Sequence, residues 1–210
     1  MIARTFKRIG AGLAAGVLGL LLMVAPARAQ IGRVSPGGMA IILAKPGVAF
    51  MGDAHAPVTV VVFMDYNCPY CRIMAPDLVK LTEANPRVRV LYKELPIFGP
   101  VSDYAAHAAI ACNWQGKYIP AYRAMISTHQ KLTSIADVRG ALKTAHVDLA
   151  QMDRDLKAHQ AEIDALIARN RSEAAALGLK GTPGMIVGDL LFQGSLSYGE
   201  LDKFVADQDR

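Results

Sequence analysis

The chain has 210 residues, with 23 Lys and Arg against 18 Asp and Glu, and 52% of its side chains are hydrophobic. Four of the basic residues and none of the acids precede residue 30, so the remainder carries 19 basic against 18 acidic residues. That balance, with no run of Lys and Arg, argues against a nucleic-acid surface. Three cysteines are too few to staple a chain of this length, which leaves chemistry as the better use for them.

Arg4, Lys7 and Arg8 precede an apolar run from Ile9 to Ala25, then Pro26 and the small-x-small triplet Ala27, Arg28, Ala29. This is the order of a secretory signal peptide, residues 1–29, cleaved after Ala29. The run is shorter than the roughly 20 residues of a spanning helix, and Pro26 ends it, so no stable membrane insertion is expected after its removal. No cysteine follows the cleavage site to carry a lipid. The remaining residues suffice for one core, or for one domain carrying an insertion.

Residues 30–52 mix Gly and Pro with two short apolar stretches, Met39 to Leu43 and Val48 to Met51, and read as a flexible leader with an edge strand. Val58 to Met64 is β-branched and continuously apolar, as in a central strand covered on both faces. A helix follows, with Ile73, Leu78 and Leu81 at helical spacing, Pro69 in its first turn and Pro76 predicting a kink. Val88 to Leu95 alternates, with Val88, Val90 and Tyr92 on one side, and completes a βαβ unit.

From Val101 to about Leu177 the pattern is helical: one helix to about Trp114, one from about Lys117 to His129, one from Ser134 to Ala145, and a long one from Asp148 onward. Ser134 and Asp148 suit N-caps. After Gly181 the period changes, and Met185 to Val187 with Leu190 to Phe192 predict a hairpin around Gly188 and Asp189. Ser197 then caps a final helix to Val205.

Cys68 and Cys71 stand at the predicted helix start, which puts their Cα atoms on the order of 5 Å apart, a separation that suits a disulfide. Unpaired N–H groups and the helix dipole there favour a thiolate, making Cys68 the candidate nucleophile. A lone C-x-x-C also occurs in zinc sites and passive disulfides. A structural zinc site wants a second ligand pair, yet Cys112 stands alone and the five histidines are scattered. The buried strand before the pair and the βαβ unit around it favour redox chemistry.

The stretch VTVVVFMDYNCPYCRIMAP, the later YKELP from Tyr92 to Pro96, the helical segment and KGTPGMIVGD from Lys180 to Asp189 together resemble the DsbA-like branch of the thioredoxin-fold oxidoreductases. Within that branch the chain looks nearest to the suppressor-of-copper-sensitivity protein C group. The resemblance spans roughly Val48 to Val205. It implies an α/β thioredoxin-like fold with an inserted all-helical subdomain: a first part at 53–98, the helical insertion at 99–177 and a second part at 178–210.

The resemblance also implies a periplasmic protein disulfide oxidoreductase that needs no cofactor, in which Cys68 attacks, Cys71 resolves, and Pro69 and Tyr70 tune the pair. Thr182 and Pro183 match the loop that offers backbone to substrate, with Pro183 as the family's cis-proline. Its partners would be exported client proteins and a membrane redox protein. Oxidase, isomerase and reductant share this site and differ in reduction potential. The short, Pro- and Gly-broken leader has no room for a coiled-coil stalk, which favours a monomer.

Two departures stand out. Tyr70 occupies the place where the strongest oxidants of the family carry histidine. Val62, six positions before Cys68, stands where the family usually keeps a buried acid that takes a proton from the second cysteine. Without it, Cys71 must lose its proton to water or to another group, near Lys93 or Glu94 on the neighbouring strand, unless those two are ordinary solvated charges.

Cys112, in an Ala-rich helix, reads as a small buried hydrophobe, with an exposed regulatory thiol as the alternative. Trp114, Tyr118 and Tyr122 at helical spacing read as core of the insertion. Met64, Met74, Met125, Met152 and Met185 are dispersed, as core fillers are. The competing function is a copper-binding protein that uses Cys68 and Cys71 as Cu(I) ligands.

Overall fold

The computed structural model describes residues 30–43, 48–127 and 130–209, so the signal segment expected over residues 1–29 lies outside the described residues. The chain runs β1 (Gln30–Arg33), α1 (Pro36–Leu43), β2 (Phe50–Gly52), β3 (Val58–Met64), α2 (Pro69–Ala84), β4 (Val88–Glu94), α3 (Pro100–Cys112), α4 (Tyr118–Ile126), α5 (Ile135–Thr144), α6 (Leu149–Ala158), α7 (Gln160–Ala176), β5 (Gly184–Val187), β6 (Leu190–Gln193) and α8 (Tyr198–Ala206). One mixed sheet forms, in the order β1-β6-β5-β3-β4-β2. β3 and β4 are parallel, joined through α2 as a βαβ unit, and every other pairing is antiparallel. This is the thioredoxin-like fold, with five helices inserted between β4 and β5.

The apolar run of β3 is buried on both faces, which is why it does not alternate. Val58, Val60, Val62 and Met64 face the larger core with α2, α8 and the inserted helices, whereas Val61 and Phe63 face a smaller core with Val34, Ile42 and Ala174. The leader is more ordered than its composition suggests. β1 pairs with β6 at one edge of the sheet and β2 with β4 at the other. Met39 to Leu43 lies in α1 rather than in a strand. Gly52 turns out of β2 at a φ of 100°, and a Cβ there would meet the Val88 carbonyl oxygen at 2.5 Å.

α2 remains one helix through Pro76. Ser134 and Ser197 each close a capping box, with Asp137 and Glu200 respectively. Asp148 caps α6 by accepting from the Ala150 and Gln151 amides. The long helix expected from Asp148 divides at His159 into α6 and α7.

Lys93 and Glu94 are both buried, so the solvated reading of these charges is wrong. The Lys93 ammonium donates to Glu173 Oε2 of α7 at 2.7 Å and to the Ile42 carbonyl of α1 at 3.1 Å. One side chain thereby ties the sheet to two helices on its smaller face. Replacing Glu173 with Gln leaves a buried ammonium without its counter-charge and is expected to cost about 3 to 5 kcal/mol in urea denaturation. The pair Lys93→Met with Glu173→Leu should recover most of that loss, since the buried ammonium goes with its counter-charge and the Arg169 guanidinium left behind, 3.9 Å from Glu173 Oε1, is part-exposed.

Candidate active site

β3 ends at Met64, and its continuation Asp65, Tyr66, Asn67 leads directly to Cys68, the N-cap of α2, with Pro69 in the first turn. Asp65 holds this connection. Its buried carboxylate accepts from the Asn67 amide at 2.7 Å, the Ser102 hydroxyl at 2.8 Å, and the Ile97 and Phe98 amides at 2.7 and 3.0 Å. Asn67 pairs through its side chain with both backbone groups of Leu132, at 3.0 and 2.9 Å. Arg72 donates to the carbonyls of Tyr66 and Gln130, at 3.1 and 3.0 Å. Asp65, Asn67 and Arg72 have no signature of their own beyond a polar stretch after a strand, which marks a turn but not its partners.

Cys68 and Cys71 are free thiols, 1% and 2% exposed, with Tyr70 between them 60% exposed. The Cys68 thiol donates to the Thr182 carbonyl at 3.0 Å, and the Thr182–Pro183 peptide bond is cis. The structure thus brings Cys68, Pro69, Tyr70, Cys71, Thr182 and Pro183 into one place although about 110 residues separate the two segments. As the N-cap, Cys68 occupies the position from which a side chain accepts helix amides. The Cys71 thiol, Thr182 and the Cys71 and Tyr70 amides favour its thiolate and bring it down to about 6 against the opposing effect of burial. One turn on, burial first and the neighbouring Cys68 second push Cys71 far above the ordinary thiol range.

Val62 is buried in the larger core, and no acid stands on β3 beneath the pair. An acid does stand on β4: Glu94 accepts from Tyr66 at 2.8 Å and from Tyr118 at 2.6 Å, and burial pushes its carboxyl up to about 8. Cys112 is buried, and burial with Asp155 nearby pushes its thiol up to about 12. Tyr118 and Tyr122 are core residues, but Trp114 is 41% exposed and stacks on His159 at 4.1 Å, because it lies in the short 3-10 turn Asn113–Gln115 that ends α3. Met64, Met74, Met125, Met152 and Met185 are buried in the core. Among the described residues no three His, Cys, Asp or Glu side chains group to hold a metal ion, and no helix is long and apolar enough to cross a membrane.

A dithiol at a helix N-terminus, faced by a cis-proline loop on a mixed sheet, defines the class of thioredoxin-fold thiol–disulfide oxidoreductases. The chain belongs to the thioredoxin family, whose model matches residues 44–207. It is similar to a thioredoxin-like oxidoreductase from Silicibacter pomeroyi, with 34% identity, a TM-score of 0.76, and coverage of 84% of this chain and 98% of that one. It is also similar to the catalytic domain of Proteus mirabilis ScsC, with 26% identity, a TM-score of 0.72, and coverage of 82% and 94%.

Among curated proteins, the probable disulfide bond formation protein D of Bacillus cereus is 28% identical over 65% of this chain and 68% of its own length. A Na(+)/H(+) antiporter NhaA 1 of Salinispora arenicola is 28% identical over 73% of this chain, and the match spans only 24% of the antiporter.

The Thr182 hydroxyl is buried without a hydrogen-bond partner, free to donate to the Cys68 thiolate. Thr182→Val should therefore raise the Cys68 titration, followed by thiolate ultraviolet absorbance, by about one pH unit, the worth of one hydrogen bond to a charged group. A titration that stays at about 6 would assign the effect to Cys71 and the helix amides alone.

Proposed function

We propose that this chain is a periplasmic enzyme that exchanges disulfides with exported client proteins through the Cys68–Cys71 dithiol. The observation that carries this reading is the placement of the dithiol, with Cys68 at the N-cap of α2 and 3.0 Å from the Thr182 carbonyl and Cys71 buried one turn on, which favours the thiolate at the first and opposes it at the second. The Cys68 thiolate attacks one sulfur of a client disulfide, and the client's other sulfur leaves as a thiolate that takes a proton from water. Cys71 then gives up its proton and attacks Cys68, forming the Cys68–Cys71 disulfide and releasing the second client thiolate. The client is reduced and the enzyme oxidised. The same steps in reverse pass the disulfide to a client.

Pro69 and Tyr70 set the geometry and environment of the pair, and Thr182 and Pro183 offer backbone beside it to an extended client segment. Export follows from the segment cleaved after Ala29. A membrane redox protein would reset the dithiol, and the enzyme would act as a monomer.

Iodoacetamide should modify Cys68 with a rate that rises through pH of about 6, while Cys71 stays inert across neutral pH. Equal rates at the two thiols would remove the assignment of nucleophile. Cys71→Ala should accumulate client adducts on Cys68 that reductant releases, because the resolving thiol is gone. Mass spectrometry of a periplasmic extract checks this, and adducts unaffected by loss of Cys68 would count against the mechanism.

A further inference from the structure

Resolution requires a proton to leave the Cys71 thiol at a site closed to solvent, and Val62 can take none. Behind Cys71 lies a cluster of four buried tyrosines around one acid. Tyr122 of α4 packs against Tyr66 at 6.2 Å between ring centroids and against Tyr92 at 4.3 Å, and Tyr92 against Tyr118 at 6.0 Å. These rings share one core with Cys68 and Cys71. The hydroxyls of Tyr66 and Tyr118 converge on Glu94 Oε1, whereas Glu94 Oε2 is buried without a hydrogen-bond partner and the Tyr92 hydroxyl interacts with that of Tyr122. Unsatisfied buried polar atoms are costly, and a carboxyl oxygen left so calls for a role beyond packing.

Resting on the dithiol reading, we propose that Glu94 is a positioning residue for the resolving thiol, whose carboxylate, acting through the tyrosine cluster, takes up the proton that Cys71 loses. The balance is simple. Before the step the core holds Cys71 as a thiol and Glu94 as a carboxylate; after it, Cys71 as a thiolate and Glu94 as an acid. One buried negative charge is present throughout, so no second anion has to be created in a low-dielectric core. The new thiolate attacks the Cys68 sulfur, the bond to the client breaks, and the client sulfur leaves as a thiolate. Glu94 later returns its proton to solvent.

The groups facing Glu94 fit this exchange. Tyr118 and Tyr66 stabilise its ionised form, and the carboxylate of Asp65, at the end of β3, opposes it. Tyr122 of α4 experiences both Cys71 and Glu94, and Arg123 of α4 acts on Tyr92. From α7 the neutral Asn170 amide reaches Glu94 and donates to its backbone carbonyl at 3.0 Å. The Lys93 ammonium is committed to Glu173 on the other face of the sheet. Burial outweighs the two tyrosines and sets the carboxyl at about 8, so its basic form grows as pH rises through that value.

The test uses a glutathione mixed disulfide formed on Cys68, with release of glutathione followed by quenched flow across a pH series. In the native protein the resolving rate should rise with pH and break near 8, above which Glu94 is mostly ionised. Glu94→Gln keeps an oxygen for the tyrosine hydroxyls but cannot accept the proton; it should lose the break and slow resolution by roughly 100-fold. Tyr118→Phe removes one donor from the carboxylate and should move the break to higher pH. A purely structural role would lower stability in both variants without moving the break.

A Glu94→Gln rate within about twofold of the native one, with the break retained, would overturn the proposal. If that variant does not fold, a break unmoved in Tyr118→Phe would overturn it instead. Failure of any adduct to form on Cys68 would sink the dithiol reading itself, an outcome distinct from an adduct that forms and resolves with an unaltered pH profile.

Discussion

The geometry of the dithiol depends on one buried carboxylate. Asp65 follows the last residue of β3, where the ladder with β4 ends and two loops must part in different directions. Its four accepted hydrogen bonds gather the Asn67 amide on the way to Cys68, the Ile97 and Phe98 amides on the way to α3, and the Ser102 hydroxyl in the first turn of that helix. Hydrogen bonds to a charged acceptor are stronger than neutral ones, and these four leave the carboxylate satisfied without a cation. Moving Asp65 would displace the start of α2 and the entry to the insertion together, because one group fixes both.

With the start of α2 fixed, two identical thiols meet different surroundings: the Cys71 thiol supports the Cys68 thiolate, and burial holds Cys71 itself protonated. The N-cap position lies among amides that have no partner within the helix, and a charged sulfur there is solvated by backbone. Three residues on, the chain has turned inward, and Cys71 lies in the larger core, where burial outweighs the donors that reach it from Asp65 and Thr182. Chemical asymmetry thus comes chiefly from placement across a single turn, beside a Thr182 loop whose carbonyl accepts from the first sulfur.

The elements that were legible in the sequence are those whose periodicity reports their own surroundings. β3 reads as central because both faces are apolar, the hairpin because Gly188 and Asp189 separate two apolar runs, and α5 and α8 because Ser134 and Ser197 stand before them. The cysteine pair was legible because strand, turn and helix start are contiguous. What escaped were partnerships between distant segments. Lys93 and Glu94 look solvated in a local window, and only α1, α7 and α4 covering β4 reveal them as buried on opposite faces. The leader's two strands are too short to show a period, and their pairing with β6 and β4 is non-local. Trp114 sits at core spacing, but the turn ending α3 carries it outward.

The inserted helices are more than a cover over the sheet. Tyr118 and Tyr122 come from α4, so without the insertion Glu94 would keep one hydroxyl donor instead of two and Tyr66 would lose the ring it packs on. Asn67, one residue before Cys68, satisfies its side-chain amide entirely with Leu132, and Arg72, one residue after Cys71, reaches the Gln130 carbonyl in the same connection between α4 and α5. Residues flanking the dithiol on both sides therefore find hydrogen-bond partners in the insertion rather than in the sheet. A buried amide or guanidinium deprived of such partners costs free energy, so the loop that carries Cys68 has a strong preference for the state in which the insertion is docked. The strands place the cysteines, and the insertion holds the segment around them in the conformation in which one thiol is exposed to helix amides and the other is not.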